Sequence, residues 1–433
     1  MKFEQALYLL VKLQETERLK ESWTADHKTS LIVTPLSKLL KEMTHGLEKQ
    51  SEIAAASQEL FKALQKKPID YTKVESYWFR YLNLYKNYLA TELVQDLQQI
   101  KQLTQEQAVT LLEIVENDIF PVLPTSLIFL LAARLLAKDI PDISYSYTIK
   151  AFERNPHLAE QFGESYKNYV YQSIEEDYYE ICPICGSEDA EPFYNAQIFL
   201  AAGFNNTFAP AKLWCHCNQC QNHFVYNLPK EIYNAQTDFT LTSEINEIGQ
   251  IVKAPLQSLA IYGDIIRAIR QYNEGKRYLE VGVGRGEFIA VAKEMGLEIH
   301  AVELSASTCK NIELLLGVPV VQADFLAYDS EEPYDVLSMG DVIEHVKAPT
   351  EAIQKANALL KSGGILWIST PNYNSAFSQM LKFSDPMWKE PGHRVYFCRE
   401  TFEQLLEACG FDILEYQVSR RYNGSMEIIA RKR

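Results

Sequence analysis

Glycine is almost absent from the first 175 of 433 residues, which leaves few places there for tight turns or close backbone approach to a ligand. Basic charge is short as well. With 42 Lys and Arg against 57 Asp and Glu, the net charge of −15 excludes a broad electrostatic grip on nucleic acid. Long apolar runs are missing: the longest, Ser126 to Ala137, is interrupted by Arg134 and falls short of the roughly 20 residues needed to cross a bilayer, so it reads as a core helix. No apolar segment follows a basic start, so secretion is not expected. Nor is this a disulfide scaffold. Five of the eight cysteines cluster between 182 and 220, which fits a reducing, cytoplasmic compartment and a metal site. What the chain does have is 47% apolar residues, enough to bury cores in two or three domains.

Residues 1–176 read as an all-α domain. Helical spacing recurs from Phe3 to Leu13 and from Val74 to Leu84, and Thr104-Gln-Glu-Gln107 reads as a capping box opening a helix. The stretch from Tyr147 through Asn155-Pro156 to Glu160 resembles one junction of a tetratricopeptide-type repeat. No fixed period appears elsewhere, which favours an irregular helical domain over an array. Tyr77, Trp78, Tyr81, Tyr85 and Tyr88 recur at helical spacing, a pattern that describes core more often than a groove for a sugar or a partner. The domain is a candidate docking module for a protein partner.

Residues 177–230 carry two C-x-x-C pairs, Cys182/Cys185 and Cys217/Cys220, separated by 31 residues. Four thiolates meet the ligand count of one tetrahedral zinc, and the spacing predicts a zinc ribbon. Cys215 and His216 stand beside the second pair as weaker alternatives. Four thiolates close the coordination shell, so the expected role is structural. A helical lead-in follows over 231–275, with a helix expected from Pro255 to Arg270.

The remaining residues, 276–433, carry the chemistry. Leu279, Val281 and Val283 have the character of a buried parallel strand, and Gly282, Gly284 and Gly286 form a turn before a helical run beginning at Phe288. The dinucleotide pattern G-x-G-x-x-G would need glycine at 287, where Glu287 stands. Glu280 at the strand end is an awkward neighbour for a pyrophosphate and a good one for a cation. A second strand ends in Glu303, 17 residues beyond Gly286, where a carboxylate suits ribose hydroxyls. A third ends in Asp324 and Phe325, suited to an adenine amino group and ring face. The fourth leads to Gly340-Asp341-Val-Ile-Glu344-His345-Val.

This region, from about residue 255 onward, resembles the class I S-adenosylmethionine-dependent methyltransferases, on the glycine turn, the ordered acids, the V-x-E-H-V type segment, the Pro371-Asn372 strand exit and the Gly392-His393-Arg-Val-Tyr-Phe segment. The C-P-x-C-G knuckle and second C-x-x-C are similar to a bacterial group that begins with such a ribbon and often acts on sugars, polysaccharides or natural products. The resemblance implies a multidomain protein: a helical domain, a small ribbon, and an α/β Rossmann-like domain with a mostly parallel sheet. It also implies S-adenosylmethionine held by Glu280, Gly282, Gly284, Glu303, Asp324, Phe325 and Asp341, with a glycan or small-molecule acceptor. His393, in a loop expected to close over the acceptor, and His345 are the candidate bases for O- or C-methylation. The alternative is an RNA or protein methyltransferase using ribbon and helices for recognition.

Overall fold

The computed structural model describes residues 51–66, scattered positions between 73 and 84, 125–162, 169–201, 204–205, 207–230 and 259–433. The expected helices at 3–13 and 104–117, the aromatics Trp78, Tyr85 and Tyr88, and the lead-in as far as residue 258 lie outside the described residues. Two compact units divide the chain, Met1–Asp139 with Ile143–Val170, and Ile140–Asp142 with Tyr171–Arg433.

In the first unit, α1 (Ser51–Gln65) buries Ile53, Ala56, Ser57 and Leu60, one stripe at helical spacing. Helices α2 (Thr125–Leu136) and α3 (Pro141–Arg154) form a hairpin. Its contacts include the Ser144 hydroxyl donating to the Ala133 carbonyl and the Phe129 and Tyr147 rings 5.5 Å apart. Proline opens α3, where its missing N–H costs nothing, and the helix stops before Asn155-Pro156. Tyr81 is fully buried, in keeping with a core role.

From Tyr171 the second unit opens on a small antiparallel β region at the place of the expected ribbon, built of β1 (Glu176–Tyr178), β2 (Ala190–Gln197), β3 (Ala211–Cys217), β4 (His223–Val225) and β5 (Asn227–Pro229). Strands β1 and β5 pair with each other. The larger antiparallel sheet has the order β11-β4-β3-β2, and its outer strand, β11 (Val395–Tyr396), comes from far along the chain.

A seven-stranded sheet carries the rest, assembled from β6 (Arg277–Val281), β7 (Glu298–Glu303), β8 (Val321–Gln322), β9 (Tyr334–Gly340), β10 (Leu360–Pro371), β12 (Phe411–Val418) and β13 (Ser425–Lys432). Its order is β12-β13-β10-β9-β6-β7-β8, parallel except for β13, which runs against both neighbours. Helices cover both faces, so β6 is buried on both sides: Tyr278, Leu279 and Val281 are each at most 3% exposed.

On one face α4 (Leu259–Arg270) buries Tyr262, Ile265, Ile266 and Ile269, an i, i+3, i+4, i+7 stripe, beside α5 (Glu287–Glu294). The other face is covered by α7 (Pro349–Leu359) and α9 (Arg399–Ala408), with Ile353, Phe402 and Leu406 in the core. Between them in the chain, α6 (Ala306–Leu316) follows β7, capped by the Ser305 hydroxyl on the Thr308 N–H, and α8 (Ala376–Leu381) follows β10. Strand order reverses at β6, with β7 on one side and β9 on the other. A sheet of this kind opens its ligand crevice at that reversal, outside the carboxyl ends of the strands.

Candidate functional site

A cavity of about 570 Å³ occupies this crevice, within the usual range for a small-molecule site. The glycine turn forms its floor. Gly282, Gly284 and Gly286 all have positive φ. A Cβ on Gly284 would meet nothing within 4 Å, so that backbone faces open space, whereas one on Gly282 would stand 2.6 Å from Val342 Cγ2. Gly286 caps α5 with no side-chain acceptor, leaving the first N–H groups of the helix turned toward the turn.

The two turn positions should therefore respond differently to alanine. Gly282→Ala is strained and crowded and is expected to lower stability by about 2 kcal/mol or more. Gly284→Ala is expected to cost about 1 kcal/mol, while still obstructing the ligand's approach. Denaturant melts of the two variants beside the wild type measure the difference, and equal losses would contradict this geometry.

Three acids stand at successive strand exits. Glu280, at the end of β6, is 5% exposed, and its Oε2 accepts from the Tyr278 hydroxyl at 2.7 Å; that hydroxyl also contacts the Ser338 hydroxyl at 2.5 Å. Burial pushes the Glu280 carboxyl up to about 8, against the pull of Tyr278 and Arg421. Glu303 closes β7, with one oxygen accepting from the Val283 N–H at 3.1 Å and the other from the Ser305 N–H at 2.9 Å. Asp324 follows β8 and caps a short turn through the Leu326 N–H at 2.8 Å. Phe325, next to it, also lines the cavity. Strand β8 itself is only two residues long, shorter than the sequence pattern implied. Asp341 ends β9 in a left-handed conformation (φ 55°), accepting from Ser369 at 2.9 Å and paired with Arg421. All seven residues assigned to the donor by resemblance, including Gly282 and Gly284, line this one cavity.

The histidines divide differently. His345 sits on a single 3-10 turn (Ile343–His345) and lines the cavity. His393 is 5% exposed and packs behind it, the two rings 4.8 Å apart and edge to face. The segment bearing His393 is not a closing loop, because its backbone is already committed to the ribbon. Val395 and Tyr396 pair with Phe224 and His223, and the Val225 N–H donates to the Arg394 carbonyl at 2.8 Å. The buried Lys212 ammonium of β3 donates to the carbonyls of Glu390, Pro391 (3.4 Å) and His393 (2.9 Å). Burial lowers Lys212 to about 7, His393 to about 3, and His345 below its ordinary value. Glu390 opposes this for both histidines; its Oε2 lies 3.8 Å from His393 Nε2. Glu344 is buried beside them, accepting from Thr370 at 3.1 Å, and burial drives its carboxyl well above the usual range. Its Oε1 and His393 Nδ1 find no hydrogen-bond partner among the described residues.

Sequence reasoning gives no sign of Arg421, Tyr262 or Tyr422, yet all three line the cavity and the Arg421 side chain is 8% exposed.

At the ribbon, the four thiols of Cys182, Cys185, Cys217 and Cys220 lie within 4.8 Å of one another. Sγ atoms of Cys182 and Cys220, and of Cys185 and Cys217, are 3.6 Å apart. Four sulfurs at about 2.3 Å from a tetrahedral zinc would be about 3.8 Å apart, so the cluster fits that ion. Each knuckle turns on a left-handed residue just after its second cysteine, Gly186 and Gln221.

A family model described as "Methyltransferase domain" matches residues 259–416. The chain is 30% identical over 108 residues to a ubiquinone biosynthesis O-methyltransferase of Bordetella avium, covering 23% of this chain and 45% of that protein. It is 27% identical over 172 residues to the protein of that name from Leptothrix cholodnii, covering 34% and 72%. The chain thus spans about half the length of the first curated relatives it matches. Among solved structures, a SAM-dependent methyltransferase from Archaeoglobus fulgidus aligns at 20% identity and a TM-score of 0.34, over 40% of this chain and 93% of that one. With the strand order and crevice described above, the match over residues 259–416 identifies this part of the chain as a class I S-adenosylmethionine-dependent methyltransferase domain.

Proposed function

We propose that the protein transfers a methyl group from S-adenosylmethionine to a hydroxyl or acidic C–H of a small-molecule acceptor, a sugar, glycan or related compound, with His345 as base. The observation that carries this reading is the cavity lined together by Glu280, Glu303 and Asp324, in strand order, and by His345. When bound, S-adenosylmethionine supplies an activated methyl on a sulfonium. Glu280 suits the ammonium of its methionine part, Glu303 the ribose hydroxyls, and Asp324 with Phe325 the adenine. Methyl transfer is an in-line displacement, so the main contribution of these residues is alignment. His345, neutral because burial disfavours its cation, accepts the acceptor's proton at a ring nitrogen. The His393 ring packs against it edge to face, with Glu390 beside His393.

Cys182, Cys185, Cys217 and Cys220 hold a structural zinc. The pairing of β4 with β11 and the Lys212 bonds make the ribbon a support for the histidine segment, which favours a small-molecule acceptor over a ribbon used to dock RNA. The curated relatives named as O-methyltransferases support oxygen as the atom methylated. Labelled methyl transfer from S-adenosylmethionine into a cell lysate, fractionated into small molecules, glycans, protein and RNA, tests the reading. Label confined to RNA or protein would refute it.

Donor binding should depend on pH through Glu280. With its carboxyl pushed up to about 8, Glu280 is mostly protonated at pH 7 in the empty site, whereas a cationic ligand prefers the carboxylate. Affinity is therefore expected to rise between about pH 6 and 8 by up to roughly tenfold per unit and then level off, with a proton released on binding. Calorimetry in buffers of different ionisation enthalpy measures that proton. Glu280→Gln should abolish both the release and the slope.

A further inference from the structure

We propose that Arg421 receives the α-carboxylate of the donor's methionine tail, making the hairpin between β12 and β13 part of the cofactor site. This rests on the reading of the cavity as the S-adenosylmethionine site. The tail is a zwitterion, and the cavity is lined by both signs: Glu280 and Asp341 among its acids, Arg285 and Arg421 its arginines, with Arg421 the one held against Asp341. Glu280 answers the ammonium. A carboxylate brought in with it needs a fixed cation, and arginine alone stays charged in a poorly hydrated pocket.

The guanidinium is held ready. One end nitrogen donates to the Ser369 hydroxyl at 2.9 Å, and the other contacts Asp341 Oδ2 at 2.5 Å and the Tyr422 hydroxyl. Tyr262, Trp367 and Tyr422 surround it, their ring centroids 5.3, 5.7 and 5.0 Å from its central carbon. A guanidinium has five N–H donors, and these bonds use only part of them. The backbone at Gly340 comes close enough that a Cβ there would stand 3.2 Å from an Arg421 nitrogen, so the side chain is packed against the end of β9. Rings and acids from four separate elements thus fix one cation at the cavity wall. The hairpin itself is braced by the Arg421 N–H donating to the Ser419 hydroxyl at 3.0 Å.

The test compares three ligands by calorimetry on the full chain: S-adenosylmethionine, its decarboxylated analogue, and 5′-methylthioadenosine, which lacks the amino-acid tail. Arg421→Gln is expected to weaken S-adenosylmethionine by roughly 10- to 100-fold, the range for a lost charge-assisted contact. It should leave methylthioadenosine within about twofold and the decarboxylated analogue unchanged or tighter, since a cation no longer faces a cationic tail. Equal weakening of S-adenosylmethionine and its decarboxylated analogue would overturn the assignment, as would unchanged S-adenosylmethionine affinity. Should the glutamine variant fail to fold, Arg421→Lys serves the same comparison: it keeps the charge but loses the fork, and preferential loss of the carboxylate-bearing ligand remains the expected result. A wild type that binds none of the three ligands refutes the cofactor reading itself, a separate outcome from any result with the variants.

Discussion

His345→Ala is expected to cut methyl transfer by roughly 10²- to 10⁴-fold, the usual contribution of a positioned base, while cofactor affinity stays within about twofold. The separation follows from placement. His345 lies on the turn after β9, on the cavity wall, whereas Glu280, Glu303 and Asp324 come from the ends of β6, β7 and β8. Burial holds its imidazole below the ordinary value, so its neutral form persists to a lower pH than that of an exposed histidine. Since the base form is the deprotonated one, the rate should persist to a lower pH than an exposed histidine would allow and fall as pH drops through the depressed pKa. His393→Ala is expected to act more weakly and mainly through that pH profile, because its ring touches His345 and not the cavity. Labelled transfer to the acceptor found in the lysate experiment measures rates, and calorimetry measures affinity. If His345→Ala turned over like the wild type, the base would have to be sought elsewhere on the cavity wall.

Loss of the four-thiolate site is expected to have the second large effect, and to act at a distance. Structural zinc sites contribute about 10–16 kcal/mol in apparent binding energy, as much as or more than the roughly 5–15 kcal/mol that stabilises a domain, so a ribbon deprived of metal should unfold. The ribbon does not end at its own sheet. Cys182, Cys217 and Phe224 pack into the same core as Leu279, Met339 and Phe402 of the larger domain, and β4 carries β11 at its edge. Cys217→Ala, or extraction with a strong chelator, is therefore expected to abolish transfer and lower the melting temperature by several degrees or more. Donor affinity should fall less, because the glycine turn packs against α6 and Val342 rather than the ribbon. Metal analysis of the purified wild type should return one zinc per chain; a chain without zinc that melts and turns over unchanged after chelation would refute the structural assignment.

The parts of this protein written in neighbouring residues were legible without coordinates. Leu279 and Val281 announce a buried strand, the glycines after it announce a turn, which here lines the cavity, and Glu280, Glu303 and Asp324 follow their strands closely enough that sequence order is also spatial order. Both cysteine knuckles are likewise local, each pair three residues apart on one turn. Tertiary structure decided the rest. Nothing local separates the His393 segment from a free loop; the pairing of β11 with β4, a contact between segments some 170 residues apart that no periodicity encodes, fixes it. Arg421 carries no local signature; the antiparallel β12–β13 hairpin brings it to the end of β9, among Asp341, Tyr262 and Trp367. Strand, turn and knuckle follow from dihedral preference and side-chain periodicity over a few residues, whereas the neighbours of a charge or an imidazole depend on which distant backbones exchange hydrogen bonds, and that is settled only when the whole core closes.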